Sequence, residues 1–130
     1  MAKLKFGKNT PSEAQCKATL NSVADALYVI GGKWKLRIIV ALTDGNRRFN
    51  ELQRLVEGIS AKVLSAELKE LELNEFVRRK VDAGPPVVVE YELTDYAGQL
   101  DPILRALSQW GVMHKDKIRK SMKRKKSVEV

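Results

Sequence analysis

The pattern of hydrophobic and polar positions changes from helical to alternating near residue 74. Before that point, apolar residues recur every three or four positions, as in helices that bury one face. Four helices are predicted there, over residues 17–30, 33–42, 50–57 and 60–74. After it, two β-rich runs, 76–81 and 87–93, flank a Gly/Pro-containing turn. Asp101-Pro102 then marks the start of a final helix with an apolar stripe.

The third and fourth predicted helices are joined by a tight turn. Gly58 ends the third, and Ser60 is expected to cap the fourth. At the start of the third, Asn50 is predicted to be the cap, with Gln53 as its capping-box partner. Two helices so joined are typical of a helix-turn-helix, and a hairpin directly after them makes a winged helix. The predicted fold class is mainly α with a small β-hairpin wing: a winged helix-turn-helix with α-rich dimerisation elements at both ends.

The helix predicted over 60–74 has two unlike faces. One is apolar and is expected to enter the core. The other carries small residues between two lysines: Lys62, Ser65, Ala66 and Lys69. Small residues allow close approach to another surface, and the major groove of DNA admits one helix. A solvated surface helix explains this stripe equally well when it is taken alone, so the interpretation depends on the surrounding fold.

Length and charge refine this picture. With 130 residues, 44% hydrophobic and 31% charged, the chain is predicted to form one globular domain. Its net charge of +8 suggests a nucleic-acid partner, but eight basic residues against two acidic ones lie in residues 115–130 alone. We therefore expect a flexible arm over 1–15, a winged-helix domain with dimerisation helices over 16–114, and a disordered basic tail over 115–130.

No catalytic, metal or cofactor site is predicted. A single cysteine, Cys16, excludes an internal disulfide, and a single histidine, His114, leaves no Cys/His metal cluster. The string "GGKWK" at 31–35 lacks the Ser/Thr of a phosphate-binding P-loop. There is neither a signal-peptide core nor an apolar run long enough to cross a bilayer. The expectation is a cytoplasmic protein that is not an enzyme and does not contact a membrane.

Several stretches of the chain resemble the HxlR family of winged-helix transcriptional regulators, relatives of the MarR group. They are "VIGGKWKLRIIVAL" at 29–42, "RRFNEL" at 47–52, "GISAKVLSAELKELE" at 58–72, "FVRRKV" at 76–81, "VEYELTDYAGQL" at 89–100 and "LRALSQWG" at 104–111. The resemblance implies a dimeric DNA-binding regulator whose 60–74 helix enters the major groove while the hairpin lies along the neighbouring backbone or minor groove. Two departures from the family pattern, Glu67 and the wing tip "AGPPVVV", are expected to weaken DNA contact at those places.

The stripe and the resemblance together define a candidate DNA-contacting set. Lysine suits guanine edges or phosphates, and serine suits either. Arg48 is expected to contact phosphate and Arg47 is a weaker candidate, while strand alternation directs only one of Arg78 and Arg79 towards DNA. The full set is Arg48, Ser60, Lys62, Ser65, Ala66, Lys69, Arg78, Arg79 and Lys80.

The apolar stripe of the last helix is longer than a small winged helix needs for its own core. We therefore predict that it pairs with a partner subunit, together with the first helix. Trp34 and Trp110 are interpreted as core and interface aromatics. The candidate interface residues are Leu20, Val23, Leu27, Ile103, Leu104, Leu107 and Trp110.

The favoured function is a homodimeric, sequence-specific regulator that binds double-stranded DNA at a pseudo-palindromic operator. Two alternatives stay open. Some members of the family carry an oxidant-sensing cysteine before the first helix, so Cys16 is either a redox or electrophile sensor or an inert thiol. The fold also suits a winged helix that binds nucleic acid without sequence preference or binds another protein. A small-molecule or oxidant effector is a further possible partner, and the sequence specifies neither the operator nor the effector.

Overall fold

The structure is a computed structural model and describes residues 12–128. Five α-helices, two strands and one 3₁₀ helix follow one another in this part of the chain. They are α1 (Glu13–Ile30), α2 (Lys35–Ala41), α3 (Phe49–Leu55), α4 (Ala61–Leu73), β1 (Val77–Asp82), β2 (Val88–Leu93), the 3₁₀ helix (Asp95–Leu100) and α5 (Asp101–Val128). Most of the arm predicted over 1–15 lies outside the described residues.

The core lies between the three short helices and the hairpin. Its six completely buried large side chains come from α2, α3 and α4: Ile38, Ile39, Leu52, Leu64, Leu68 and Leu71. The three leucines of α4 recur at i, i+4 and i+7, so they form one face of that helix. Their burial turns the opposite face of α4 to the solvent.

The hairpin follows α4 directly and pairs in antiparallel register from Val77–Leu93 to Asp82–Val88. Arg47, in the connection between α2 and α3, also bridges to β2: its N–H donates to the Tyr91 carbonyl at 3.0 Å, and the Tyr91 N–H donates back at 2.7 Å. These bonds fix the hairpin against the helical core. The three helices, tight turn and hairpin form a winged helix-turn-helix, which confirms the predicted mainly α fold with a β-hairpin wing.

The start of α3 differs from the prediction. Arg48, not Asn50, occupies the N-cap position, and its backbone N–H donates to the Glu51 carboxylate at 3.0 Å. The helix begins earlier because Phe49 packs against the core and belongs to the first turn. Leu55 is 52% exposed, and Leu52 and Val56 supply the buried side chains of this segment.

The start of α1 lies four residues before the predicted one. Ser12 caps it in a reciprocal pair: its hydroxyl accepts from the Gln15 N–H at 3.2 Å, and the Gln15 side chain accepts from the Ser12 N–H at 2.7 Å. Cys16 therefore lies within α1 and not in an arm before it. Both α1 and α5 project from the domain, because α1 is exposed up to Tyr28 apart from half-buried Thr19, and α5 is exposed from Arg105 to Lys126.

The prediction of a disordered tail was wrong as far as residue 128. Residues 115–128 continue α5, whose 28 residues carry no glycine or proline after Gly111. Lysine, arginine and methionine are good helix formers, and Lys120 pairs with Asp116 one turn earlier at 3.0 Å. Within residues 12–128, no helix combines the length and apolar character needed to cross a membrane.

Candidate nucleic-acid interface

The exposed face of α4 carries the predicted lysine stripe. Ser60 starts the helix by accepting the Val63 N–H at 3.1 Å, and the buried leucines fix its rotation. Lys62, Ser65, Ala66 and Lys69 all lie on the exposed side. Among residues 12–128, neither lysine has an ion-pair partner. The stripe therefore presents two uncommitted ammonium groups with small side chains between them.

A polar groove lies beside the first turns of α3. It encloses about 590 Å³ and is lined by Arg48, Asn50, Glu51, Arg54 and Glu90. Arg48 and Arg54 are both exposed. Sequence reasoning missed Asn50 and Arg54 as candidate contacts, although their i, i+4 spacing on the side away from Leu52 would have grouped them.

Arg47 has a different role from its neighbour. Its Nε donates to the Ala41 carbonyl at 2.6 Å, and its Nη2 donates to Asp44 at 2.8 Å. These bonds close the connection between α2 and α3, so this guanidinium is engaged within the domain.

The wing carries a mixture of charges. Arg78 and Arg79 lie on opposite faces of the hairpin, because successive side chains of a strand alternate between its faces. Opposite them on β2 are Glu92 and Tyr91, respectively. Arg78 donates to the Glu92 carboxylate at 2.8 Å, which holds the pKa of Glu92 below its ordinary value. Lys80 faces Glu90 across the strands. Arg79 forms no ion pair within the described residues, so it is the less committed of the two arginines.

The wing tip offers little charge of its own. Between the strands there is no cation from 83 to 87, and Val87 is 67% exposed. The Asp82 carboxylate accepts the Gly84 N–H at 3.2 Å within the turn. The tip is thus apolar and close to neutral, as the sequence indicated.

Glu67 lies beside the lysine stripe and not within it. Its carboxylate is 2.8 Å from the Nζ of Lys35 in α2, and Glu70 is 2.7 Å from the same Nζ. Contact with Glu67 first and with Glu70 second raises the pKa of Lys35 above its ordinary value. Sequence reasoning missed Lys35, because no local pattern relates it to a helix that begins 26 residues later.

The candidate dimer residues lie on the two projecting helices. In α1, Leu20, Val23 and Leu27 are exposed on one face, and exposed Cys16 lies on the same face at i−4 from Leu20. In α5, Ile103, Leu107 and Trp110 are exposed, and Trp110 stacks on His114 with ring centroids 4.7 Å apart. Leu104 differs from the others, since it packs against the core of its own domain.

An open apolar groove separates α5 from α2 and α3. It encloses about 720 Å³, and its apolar lining consists of Leu36, Val40, Ala41, Leu55, Val56, Leu104 and Leu107. Within residues 12–128, no group of three or more His, Cys, Asp or Glu side chains is arranged to hold a metal ion.

Comparisons with known proteins identify relatives of this arrangement. Residues 29–119 match the family described as HxlR-like helix-turn-helix. An HTH-type transcriptional regulator of Halalkalibacterium halodurans, BH0655, is 43% identical over 111 residues, which cover 81% of this chain and 98% of the relative. The names of such relatives describe transcriptional regulators and no enzyme.

The solved structures that superpose on this chain include transcriptional and redox regulators. The HTH-type regulator YtcD, known in Bacillus subtilis, superposes with a TM-score of 0.69 at 44% identity, covering 72% of this chain and 96% of that one. The reduced form of the redox regulator HypR superposes with a TM-score of 0.71 at 37% identity, covering 76% of this chain and 98% of that one.

Proposed function

The chain belongs to the HxlR-like helix-turn-helix family of transcriptional regulators, and we propose that it acts as a homodimer whose two α4 helices bind a pseudo-palindromic operator. The observation that carries this proposal is the lysine stripe of α4: a helix locked by buried leucines presents two unpaired cations and small residues to the solvent. Such a face fits the width and the acceptor-rich edges of a major groove.

Each part of the interface has a proposed role. Lys62, Ser65, Ala66 and Lys69 contact base edges or approach them closely. Ser60 and Arg48 contact phosphates at the starts of α4 and α3. On the wing, Arg79 contacts the neighbouring backbone. Arg78 and Lys80 lie on the other face of the hairpin and contribute less, because Glu92 already binds Arg78 and Lys80 faces Glu90.

The homodimer is supported by the exposed apolar faces of α1 and α5. An isolated helix of 18 residues is marginal in water, so α1 gains most of its stability from a surface that covers Leu20, Val23 and Leu27. A second copy offers the matching faces, including the groove beside α5. The two recognition helices then lie about 34 Å apart and meet successive major grooves on one side of the duplex.

Selection from a pool of randomised duplexes tests this function directly. The wild-type protein is expected to enrich an inverted repeat with half-sites about 10 base pairs apart. Sedimentation of the complex is expected to show two chains per duplex. If no sequence is enriched and all duplexes bind equally, the protein is a non-specific winged helix; one chain on a single half-site would contradict the dimer.

A redox-sensing role is the second candidate, and the position of Cys16 favours it. Its exposed thiol lies on the same α1 face as the proposed dimer contacts, and HypR, a similar protein, is described as a redox regulator. Two Cys16 thiols from paired subunits would form one disulfide while diamide takes up the two hydrogens. We expect diamide to produce a crosslinked dimer with altered DNA affinity, and Cys16→Ser to show neither change. Equal affinity of the oxidised and reduced wild type would make Cys16 an incidental thiol.

A further inference from the structure

The recognition helix α4 carries more negative than positive charge. Its 13 residues include two lysines on the exposed stripe, Lys62 and Lys69, against three glutamates, Glu67, Glu70 and Glu72. A helix that enters a groove between phosphates would be repelled by those carboxylates. The counter-charge therefore has to come from outside α4.

Lys35 supplies that counter-charge from the first residue of α2. Its Nζ lies 2.8 Å from one Glu67 oxygen and 2.7 Å from one Glu70 oxygen. The Lys35 side chain is only 13% exposed and that of Glu67 21%, whereas Glu70 is 58% exposed. The contact is thus largely withdrawn from water on the Glu67 side, where ion pairs are screened less.

We propose that Lys35 is a positioning residue for operator recognition, which limits the residual rotation that the buried leucines leave to α4 and neutralises the acidic flank of that helix. This inference rests on the proposed function, in which α4 reads the operator. Glu67 and Glu70 lie nearly one turn apart on the same flank, so a single ammonium group contacts α4 at two points along its axis.

The rotation of α4 matters because its stripe side chains lie far from the helix axis. A helix with its side chains has a radius of about 5–6 Å, so a rotation of about 15° moves an outer atom by roughly 1.5 Å. Donor–acceptor distances in hydrogen bonds span only about 0.5 Å. Such a rotation breaks base contacts made by Lys62 or Lys69 while phosphate contacts, which tolerate several geometries, persist. The buried leucines hold α4 against the core, and the Lys35 contact adds a polar restraint on the flank.

Lys35→Met is the direct test, because it removes the ammonium group and keeps a long side chain. The probes are a duplex selected by the wild-type protein and a random-sequence duplex of equal length. We expect the ratio of the two affinities to fall about tenfold, the scale of one lost base contact. Affinity for the random duplex is expected to fall as well, since two carboxylates are left uncompensated.

Two further variants separate positioning from charge. The triple variant Lys35→Met, Glu67→Gln, Glu70→Gln leaves no unpaired charge at this contact, so it also serves if Lys35→Met does not fold. It is expected to recover affinity for random DNA but not the wild-type affinity ratio. Lys35→Arg keeps the cation and is expected to recover both. Circular dichroism melting checks that each variant is folded.

The outcomes distinguish this inference from the function on which it rests. A wild-type affinity ratio in folded Lys35→Met or in the triple variant would overturn the positioning role while leaving the operator proposal intact. A wild-type protein that selects no sequence at all would overturn the operator proposal, and the inference with it.

Discussion

Replacing Lys62 or Lys69 by alanine is the sharpest test of whether α4 reads DNA. The two residues are seven positions apart, which is about 10.5 Å along a helix and about three base-pair steps of 3.4 Å. One recognition helix can therefore place the two ammonium groups on base pairs at either end of a short half-site. Loss of one base contact costs about 1–3 kcal/mol, which corresponds to roughly a 5- to 150-fold weaker Kd for the selected duplex.

Stability should not change, because both lysines are exposed and have no ion-pair partner among residues 12–128. Lysine and alanine are both good helix formers, so each substitution is expected to alter the free energy of unfolding by less than about 0.5 kcal/mol. Lys17→Ala, which changes an exposed helical lysine on α1, is the matched control and should leave DNA affinity unchanged.

Fluorescence anisotropy at several salt concentrations separates the two kinds of contact. Loss of a base-reading lysine lowers affinity for the selected duplex alone and leaves the slope of log K against log salt nearly unchanged. Loss of a phosphate-binding lysine lowers affinity for all duplexes alike and reduces the slope by about 0.9. Wild-type affinity for both duplexes in both variants would show that the stripe is a solvated face, and the reasoning from its composition would fail.

Three further predictions concern the cap, the dimer and the tail. Ser60→Ala should lower the free energy of unfolding by about 1 kcal/mol in chemical denaturation. Ser60→Asp should keep the helix cap and still weaken DNA binding, because it places a carboxylate near the phosphates. Wild-type DNA affinity in Ser60→Asp would remove Ser60 from the interface. Val23→Asp should shift sedimentation equilibrium towards the monomer. Val112 is also exposed but lies on the opposite side of α5 from its apolar stripe, so Val112→Asp should leave the equilibrium unchanged. A dimeric Val23→Asp protein would exclude this face of α1 from the dimer interface. Deleting residues 119–130 should lower affinity for selected and random duplexes by similar factors and flatten the salt slope; loss of the preference alone would make the tail a specificity element.

The elements predicted correctly are those that depend on local sequence. The α4 helix follows from the Ser60 cap and the spacing of its leucines, and the wing follows from alternation around a turn. The Ser12–Gln15 capping box is also present in the sequence, but the polar composition around it favours a flexible arm. In the same way, the charge of residues 115–128 favours a disordered tail, whereas the helix propensity of their lysines and the Asp116–Lys120 spacing favour a helix.

The features that could not be predicted depend on packing between distant segments. Lys35 meets Glu67 only because α2 lies along α4, and no periodicity within either helix encodes that contact. Arg47 joins Tyr91 across 44 positions. Whether Arg78 or Arg79 is free for DNA was likewise decided by the strand register, which places Glu92 beside Arg78.

If the proposed homodimer forms through α1, the projection of this helix from the domain links the amount of active regulator to the amount of chain present. A partner that covers the apolar side of α1 stabilises it by about 2.7 kcal/mol when the chain is at 100 times its dissociation constant, and by very little when the chain is dilute. Well below that constant, the amount of paired protein rises with the square of the total amount of chain. In the proposed homodimer, doubling the dosage of the gene then gives about four times as many paired molecules, and we expect a correspondingly steep promoter response.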